Sequence, residues 1–273
     1  MTTDQTPETP EEANVRRDAV REKAKKVKTR ISAKKYARRA VITILIVAAV
    51  VAAGWYVWTT VTPEVERPLV TPDNITDDDG IDVLQMMPED ERPEAVDDPI
   101  AVDVYVDYMS PDAGTIEETL APQMYELVDE GIITLTYHPL SVRLSSSQYS
   151  ARAAGAVMCV VSNEPTSFRD FNTTLLVEQP EPETDGYTDE ELASMASDAG
   201  ADVESCITSH EFTPWVAEAT DRAEIDGDAV IIVDGQRYEG SVDDPAEFSQ
   251  FMLTVQSEQY YGETDSGSTE DSE

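Results

Sequence analysis

Cysteine and histidine are scarce in this chain, and their scarcity excludes several kinds of chemistry. The 273 residues hold two cysteines, Cys159 and Cys206, and two histidines, His138 and His210. The sequence contains no Cys-x-x-Cys, no glycine-rich loop that could cradle a phosphate, and no Gly-x-Ser-x-Gly elbow. Two histidines far apart along the chain are too few clustered ligands for a metal site, so we predict neither a metal nor a cofactor.

Lysine is absent from most of the chain. No lysine follows Lys35, and the first 39 residues hold 12 of the 19 Lys and Arg. The remainder has 50 Asp and Glu against seven Arg, so it lacks the basic patch with which proteins bind nucleic acid. Such an acidic surface keeps a domain soluble by repulsion, or it attracts cations or a basic partner.

An apolar run follows the basic segment 1–39. Residues 40–61, which end near Trp55, Tyr56 and Trp58, can cross a hydrocarbon core of ~30 Å as a helix. Basic residues favour the cytoplasmic side and aromatic residues the far interface. We therefore predict a single-pass anchor in the cell membrane, with a cytoplasmic N-terminus and an extracytoplasmic C-terminal domain. The alternative is a signal peptide cleaved near Gly54, but its basic region and its apolar core would both be unusually long.

Residues 62–98 are acidic and rich in proline, which predicts an extended linker between the anchor and a folded domain. Part of this segment, residues 74–82, resembles a calcium-binding loop. With Gly80 at the sixth position of such a loop, Ile75 and Met86 occupy the first and twelfth positions, where carboxylates are needed. We therefore reject an EF-hand. At the other end of the chain, the composition of residues 257–273 predicts a disordered acidic tail.

Residues 99–256 have the pattern of a folded α/β domain. Strands are predicted at 100–108, 132–137, 229–233 and 236–238. A capping box of Thr115 and Glu118 predicts a helix over 115–130, kinked at Pro122. Further helices are predicted at 149–161, 168–176, 189–199, 203–209, 213–225 and 245–255. This order gives an α/β fold with one parallel crossover and a helical subdomain inserted at about 141–225.

Five segments carry a family resemblance in the same order along the chain. They are Val102-Asp-Val-Tyr-Val-Asp-Tyr108, Leu135-Thr-Tyr-His-Pro-Leu140, Ser150-Ala-Arg-Ala-Ala154, Tyr187-Thr-Asp-Glu-Glu-Leu192 and Val230-Ile-Ile-Val-Asp-Gly235. Together they resemble the DsbA-like branch of the thioredoxin superfamily, particularly its membrane-anchored bacterial members. The resemblance implies a thioredoxin-like fold whose usual activity is thiol–disulfide exchange.

The chain departs from this family at its working residues. The family's Cys-x-x-Cys aligns with Ser110, Pro111, Asp112 and Ala113, and the cis-proline that faces it aligns with Ala229. Exchange needs a thiolate and a second, resolving thiol, so we predict no catalytic residues here. Ser110, Pro111 and Asp112 suit the cap, first position and dipole end of a helix; alternatively, Ser110 and Asp112 also contact a ligand.

The two cysteines lie beyond the predicted anchor, where an oxidising exterior favours a bridge. Some actinobacterial members of the family have a second, structural disulfide in the helical insertion, and the resemblance implies that Cys159 and Cys206 form it. Free core cysteines and a redox pair are the alternatives.

The leading hypothesis is a redox-degenerate, membrane-anchored protein that binds protein or peptide clients in the cell envelope. The alternatives are a thiol–disulfide oxidoreductase or isomerase of the DsbA family, and an acidic surface scaffold that binds cations. Nucleic acid is not an expected partner.

Overall fold

The computed structural model describes residues 48–51, 69–94, 96–180 and 184–266, with only the backbone from 259 onward. The chain divides into a unit of residues 1–66 and a unit of residues 67–273. In the first unit the described residues, 48–51, are helical. Within the described ranges we find no helix that is both long and apolar enough to cross a bilayer. Most of the predicted anchor 40–61 lies outside those ranges.

A mixed five-stranded sheet forms the centre of the second unit, with strand order β1-β3-β2-β4-β5. The strands are β1 Ile81–Asp82, β2 Ile100–Asp107, β3 Ile133–Leu140, β4 Ala229–Val233 and β5 Gln236–Arg237. Strands β2 and β3 are parallel, and the other neighbours are antiparallel. Val102, Val104 and Val106 of β2 point into the core at every second position, as the sequence predicts.

Helices cover the sheet and fill the connection between β3 and β4. Helices α1 Pro111–Thr119 and α2 Ala121–Asp129 connect the parallel strands, and α8 Pro245–Ser266 follows β5. The inserted subdomain contains α3 Tyr149–Asn163, a 3₁₀ turn at Pro165–Ser167, α4 Phe168–Val177, α5 Asp189–Asp198, α6 Glu204–Ser209 and α7 Thr213–Ala223. The alanine-rich helix α3 is buried along most of its length and is the centre of this subdomain. The predicted α/β fold with a helical insertion is confirmed.

The first helix begins earlier than its capping box predicts. Ser110 is the N-cap of α1, and its Oγ accepts a hydrogen bond from the Ala113 N–H at 3.4 Å. Thr115 lies inside the helix, where its hydroxyl donates to the Pro111 carbonyl at 3.0 Å. The start at Thr115 is therefore wrong, because the stronger Ser-Pro-Asp signal comes five residues before it. The predicted kink appears as a division into α1 and α2, with Pro122 in the first turn of α2.

Part of the predicted linker 62–98 belongs to the folded domain. Strand β1 lies inside it and pairs with β3, while Ile81, Val83 and Met86 are buried. The Val83 N–H donates to the Leu135 carbonyl at 2.9 Å. The interpretation as an extended spacer is wrong for residues 81–86. Acidic residues and prolines on both sides of the two-residue strand hide its apolar positions from an argument based on composition.

The last helix extends beyond its predicted end at residue 255, into the predicted tail 257–273. Its first turns are fixed by Phe248, Met252 and Val255, which are buried against the domain. Once a helix is nucleated, each further residue adds a backbone hydrogen bond at little cost. A prediction based on composition does not take this propagation into account. The prediction of disorder is therefore wrong for residues 257–266, which are helical.

Candidate functional site

The candidate site lies where β2 ends, β4 begins and α1 starts. Antiparallel pairing places Val106 opposite Ala229, so Asp228, which precedes Ala229, lies beside the loop that follows β2. Ser110 is in that loop, with 1% of its surface exposed. Its hydroxyl donates a hydrogen bond to Asp228 Oδ1 at 3.0 Å. The sheet register therefore brings together two residues that are 118 positions apart in the sequence.

Arg143 extends this contact to the surface. Its Nη1 donates to Asp228 Oδ2 at 2.5 Å, so one carboxylate holds both the serine hydroxyl and the guanidinium. The side chains of Arg143 and Asp228 are 43% and 29% exposed, whereas Ser110 is buried. We call these three residues the Ser110–Asp228–Arg143 chain. It leads from a helix N-terminus under the surface to a cation in solvent.

A buried carboxylate positions the loop that carries Arg143. Asp107, at the end of β2, accepts hydrogen bonds from the backbone N–H groups of Val142 and Arg143 at 2.8 Å each. It also accepts from the Met109 N–H at 2.9 Å and from the Ser150 hydroxyl at 2.7 Å. Burial raises the pKa of the Asp107 carboxyl, while these hydrogen bonds oppose the rise. Asp107 thus links the end of β2 to the loop after β3 and to α3.

The other three residues that align with the family's Cys-x-x-Cys lie in the first turn of α1. Pro111 and Asp112 are exposed in the first turn of α1, and Ala113 is fully buried. Gln179 fixes the same turn from the side, because its Nε2 donates to the Ser110 carbonyl at 2.9 Å. Ala229 is paired with β2, and the peptide bonds of the described residues are all trans. The predicted capping roles of Ser110, Pro111 and Asp112 are therefore observed in α1.

A cavity of about 410 Å³ opens beside the Ser110–Asp228–Arg143 chain. Met109, which precedes Ser110, lines it together with Arg143, Leu144, Ser145, Ser146 and Asp185. The Leu144 side chain is 98% exposed. The cavity thus combines an apolar rim, a cation and several hydroxyl groups.

A second buried carboxyl group lies on the inner face of α1. Glu117 accepts hydrogen bonds from Tyr137 at 2.8 Å, from Tyr125 at 3.0 Å and from Thr173 at 2.5 Å. Burial raises the pKa of this carboxyl, and the three hydroxyl donors oppose the rise. Glu117 therefore connects the helix that Ser110 caps to α2, β3 and α4.

The two cysteines form the predicted bridge. Cys159 of α3 and Cys206 of α6 are disulfide-bonded, with their Cα atoms 5.9 Å apart. They are 1% and 8% exposed, so the bridge is enclosed by the helical subdomain.

Neither histidine joins the Ser110–Asp228–Arg143 chain: His210 pairs with Asp189 at 2.7 Å, and His138 lies 3.3 Å from Asp103. Ser110 therefore has no imidazole that could accept its proton in the manner of a serine nucleophile.

Comparison with known proteins shows the family of this chain. A family model described as Thioredoxin matches residues 96–252. The chain belongs to the thioredoxin family. Within that family its fold is DsbA-like, as the solved structures similar to it indicate. No curated protein matches the chain.

The similar structures are disulfide-exchange proteins by name. The reduced form of the disulfide bond oxidoreductase DsbG from Mycobacterium tuberculosis has 25% identity and a TM-score of 0.57, with 65% of this chain and 87% of that chain covered. Reduced DsbA from the same organism has 24% identity and a TM-score of 0.56, covering 65% and 92%. Oxidised BdbD from Bacillus subtilis has 21% identity and a TM-score of 0.52, covering 62% and 94%. At these lower identities the likeness shows the fold alone.

The sequence argument found Ser110 but missed the residues around it. Asp107, Arg143 and Asp228 lie in three different segments, and only the sheet register and the loop after β3 bring them together. Asp107 carried a usable signal, since a carboxylate at the end of a buried strand needs local hydrogen-bond donors. Arg143 carried another, because it is one of only seven cations, all arginines, after residue 39. Asp228 had no signal beyond its place before Ala229.

Proposed function

We propose that this protein binds extended polypeptide clients outside the membrane at the cavity beside the Ser110–Asp228–Arg143 chain, without exchanging disulfides. The observation that carries the proposal is the position and the hydrogen bonding of the Ser110 side chain. Its hydroxyl occupies the helix N-terminus where the family has its nucleophilic thiol, and it is hydrogen-bonded to Asp228. A serine hydroxyl remains protonated at physiological pH and cannot form a mixed disulfide.

The geometry around the site supports retention of binding. Leu144 and Met109 offer apolar contacts, and Arg143 offers a cation at the same cavity. Extended chains bind to sheet proteins through backbone hydrogen bonds, with pockets for alternate side chains. Such binding needs no thiol, so it can persist after the loss of the Cys-x-x-Cys. The client we propose is an unfolded polypeptide that places an apolar side chain against Leu144.

The rival function is thiol–disulfide exchange, and the names of the similar structures favour it. In this chain it must use Cys159 and Cys206, since no other cysteine exists. Both are buried in the helical subdomain, where a thiolate of the client has little access to either sulfur. Client binding and exchange therefore predict different results for the same preparation.

The test uses the full chain in lipid nanodiscs and fluorescently labelled, reduced and carboxymethylated lactalbumin, a permanently unfolded probe. Anisotropy should show saturable binding, and Leu144→Ser should weaken it at least fivefold. Leu253→Ser is the matched control, because Leu253 is also an exposed leucine, on α8. Equal effects of the two substitutions, or no binding, would contradict the proposed site.

The same preparation is then assayed for reduction of insulin and for oxidative refolding of a reduced substrate. We expect rates equal to those of empty nanodiscs. Activity above background that disappears in Cys159→Ser would establish the oxidoreductase function instead.

The cellular location belongs to the same proposal. The basic segment 1–39 and the apolar run 40–61 support an N-terminal anchor with the thioredoxin-like domain on the extracytoplasmic side. The disulfide between Cys159 and Cys206 supports that side as well, because such bridges persist in oxidising compartments.

A further inference from the structure

Three metal-ligating side chains meet on the sheet at a distance from the site described above. They are Asp78 from the segment before β1, Asp103 from β2 and His138 from β3. One ligand atom from each residue lies within 4.8 Å of the other two. In the part of the chain that the structure describes, no other three His, Cys, Asp or Glu residues meet in this way.

The two strand residues are held rigidly. Tyr105 pairs with His138 in the parallel register of β2 and β3, and their rings stack with centroids 4.3 Å apart and planes 12° apart. Asp103 lies two residues before Tyr105 and so projects from the same face of the sheet. The His138 side chain is 6% exposed, which fixes the direction of its Nε2. This nitrogen lies 3.3 Å from Asp103 Oδ1.

A tight turn brings the third ligand to this pair. The Thr76 N–H donates to the Gly80 carbonyl at 2.9 Å, and the Thr76 hydroxyl donates to Asp78 Oδ1 at 2.5 Å. The turn packs directly on the imidazole, since a Cβ added to Gly80 would lie 2.7 Å from His138 Cε1. Only glycine permits this approach, so the sequence of the turn is matched to the position of the histidine.

The separation of His138 and Asp103 leaves room for a shared metal ion. A charged N–H···O pair is usually 2.7–2.9 Å long, whereas the His138–Asp103 separation is 3.3 Å. Tetrahedral ligands about 2.0–2.1 Å from a zinc ion lie about 3.4 Å from each other. The separation of His138 Nε2 and Asp103 Oδ1 is close to that edge, and a ligand atom of Asp78 lies within 4.8 Å of both residues' ligand atoms.

The charges also favour a cation. Asp78 and Asp103 each bring a carboxylate oxygen within 4.8 Å of the other's and of the His138 ring nitrogen. Arg222 forms its ion pair with Asp79, at 2.7 Å. Two carboxylates this close repel each other unless a positive charge lies between them. A divalent ion supplies that charge.

We propose that Asp78, Asp103 and His138 form a binding site for a divalent transition metal, with zinc as the ion of choice and water as the fourth ligand. A mixed set of imidazole nitrogen and carboxylate oxygens suits zinc, whereas calcium, magnesium and manganese prefer oxygen ligands. The bound ion joins the turn before β1 to two central strands. This site is independent of client binding.

The test uses the full chain without a polyhistidine tag, stripped with EDTA and dialysed. Titration with Zn²⁺ should show one saturable site and a rise in the melting temperature. Co²⁺ should give a visible absorption band whose intensity indicates four-coordination. Asp78→Asn and Asp103→Asn should each weaken Zn²⁺ binding at least tenfold and abolish the Co²⁺ band.

Matched variants separate this site from general attraction to an acidic protein. Asp77→Asn changes the same charge at an exposed neighbour, and His210→Gln removes the other histidine; both should stay within twofold of the natural chain. His138→Gln should abolish the site, and if that variant does not fold, the two Asp→Asn variants decide. Equal losses in Asp77→Asn and Asp78→Asn, unsaturable binding, or displacement of Zn²⁺ by equimolar Ca²⁺ would each overturn the proposal.

Discussion

Tyr137 donates a hydrogen bond of 2.8 Å to a carboxyl oxygen of Glu117, and both side chains are buried between α1 and the sheet. Tyr125 and Thr173 donate to the other oxygen. Removing a group from water disfavours its charged form, and here burial outweighs the three donors and raises the pKa of Glu117. The helix that Ser110 caps therefore rests on a carboxyl group that binds its proton more tightly than usual.

This relationship predicts a pH-dependent difference between the natural chain and Glu117→Gln. A folded-state pKa raised above the ordinary value of 4.5 means that the folded state binds more protons between the two values. The contribution of Glu117 to the free energy of unfolding therefore falls as the pH rises from about 4.5 through the folded-state pKa. Each pH unit between the two pKa values corresponds to about 1.4 kcal/mol.

Glutamine cannot titrate, so the stability of Glu117→Gln relative to the natural chain should increase from pH 4.5 to pH 8 in urea unfolding. The control is Glu118→Gln, which neutralises the exposed neighbouring residue. A stability difference that stays constant with pH, or the same pH dependence in both variants, would show that Glu117 is not the group responsible.

The contact between Ser110 and Asp228 predicts that a cysteine at position 110 is a poor thiolate. The helix N-terminus lowers the pKa of such a thiol, but a carboxylate 3.0 Å from the original hydroxyl raises it. In the Ser110→Cys background, Asp228→Asn should lower the midpoint of the iodoacetamide pH profile by about one unit. Arg143→Gln should raise that midpoint, because it removes the cation that balances Asp228.

The native cysteines are bridged and do not react, so alkylation reports position 110 alone. Asp226→Asn is the control, since it removes an equal charge from an exposed residue two positions before Asp228. Identical profiles for Asp226→Asn and Asp228→Asn would show that the local carboxylate does not govern the thiol.

The disulfide predicts a stability effect that leaves the proposed client site unchanged. The bridge closes a loop of 47 residues, which stabilises the fold by roughly 4 kcal/mol in the chain-entropy model. The double variant Cys159→Ala, Cys206→Ala should lose about that much unfolding free energy while binding the unfolded probe with unchanged affinity. Unfolding of the reduced natural chain gives the matching control. A loss of affinity at equal folded fraction would mean that the bridge also shapes the cavity.

The anchor prediction concerns residues that lie mostly outside the described ranges. Because the basic segment 1–39 is long for a signal peptide, the mature protein should keep its N-terminus. Intact-mass measurement of the membrane fraction checks this, and Ala52→Leu should leave the processing unchanged. A mature chain that starts near Gly54 or Trp55 would identify the apolar run as a signal peptide.

The sequence predicts the strands and helices well where periodic apolar positions and clear boundaries coincide. Strand β4 is predicted at its observed bounds, since its apolar run ends at Asp234-Gly235, and α3 is recognisable from its alanines. Strand β1 could not be predicted, because two paired residues in an acidic segment have no period to detect.

A site could be predicted from the sequence only where its residues are neighbours along the chain. Ser110, Pro111 and Asp112 are neighbours, and their capping role follows from sequence alone. The prediction of no metal considered only the distance between two histidines. The two aspartates that we propose as metal ligands together with His138 come from a turn and a strand that precede it by many residues. Parallel pairing of β2 and β3 creates that proximity, and sequence spacing does not reveal it.

The two edge strands of the sheet are its shortest strands. Strands β1 and β5 are two residues long each, and β5 consists of the exposed residues Gln236 and Arg237. A long unpaired edge is the usual template on which one copy of a β protein pairs with the next and aggregates. This domain therefore offers little exposed edge for sheet-to-sheet association between copies. A client that pairs its backbone with this sheet is limited to the parts of β3 and β4 that the short strands β1 and β5 leave unpaired.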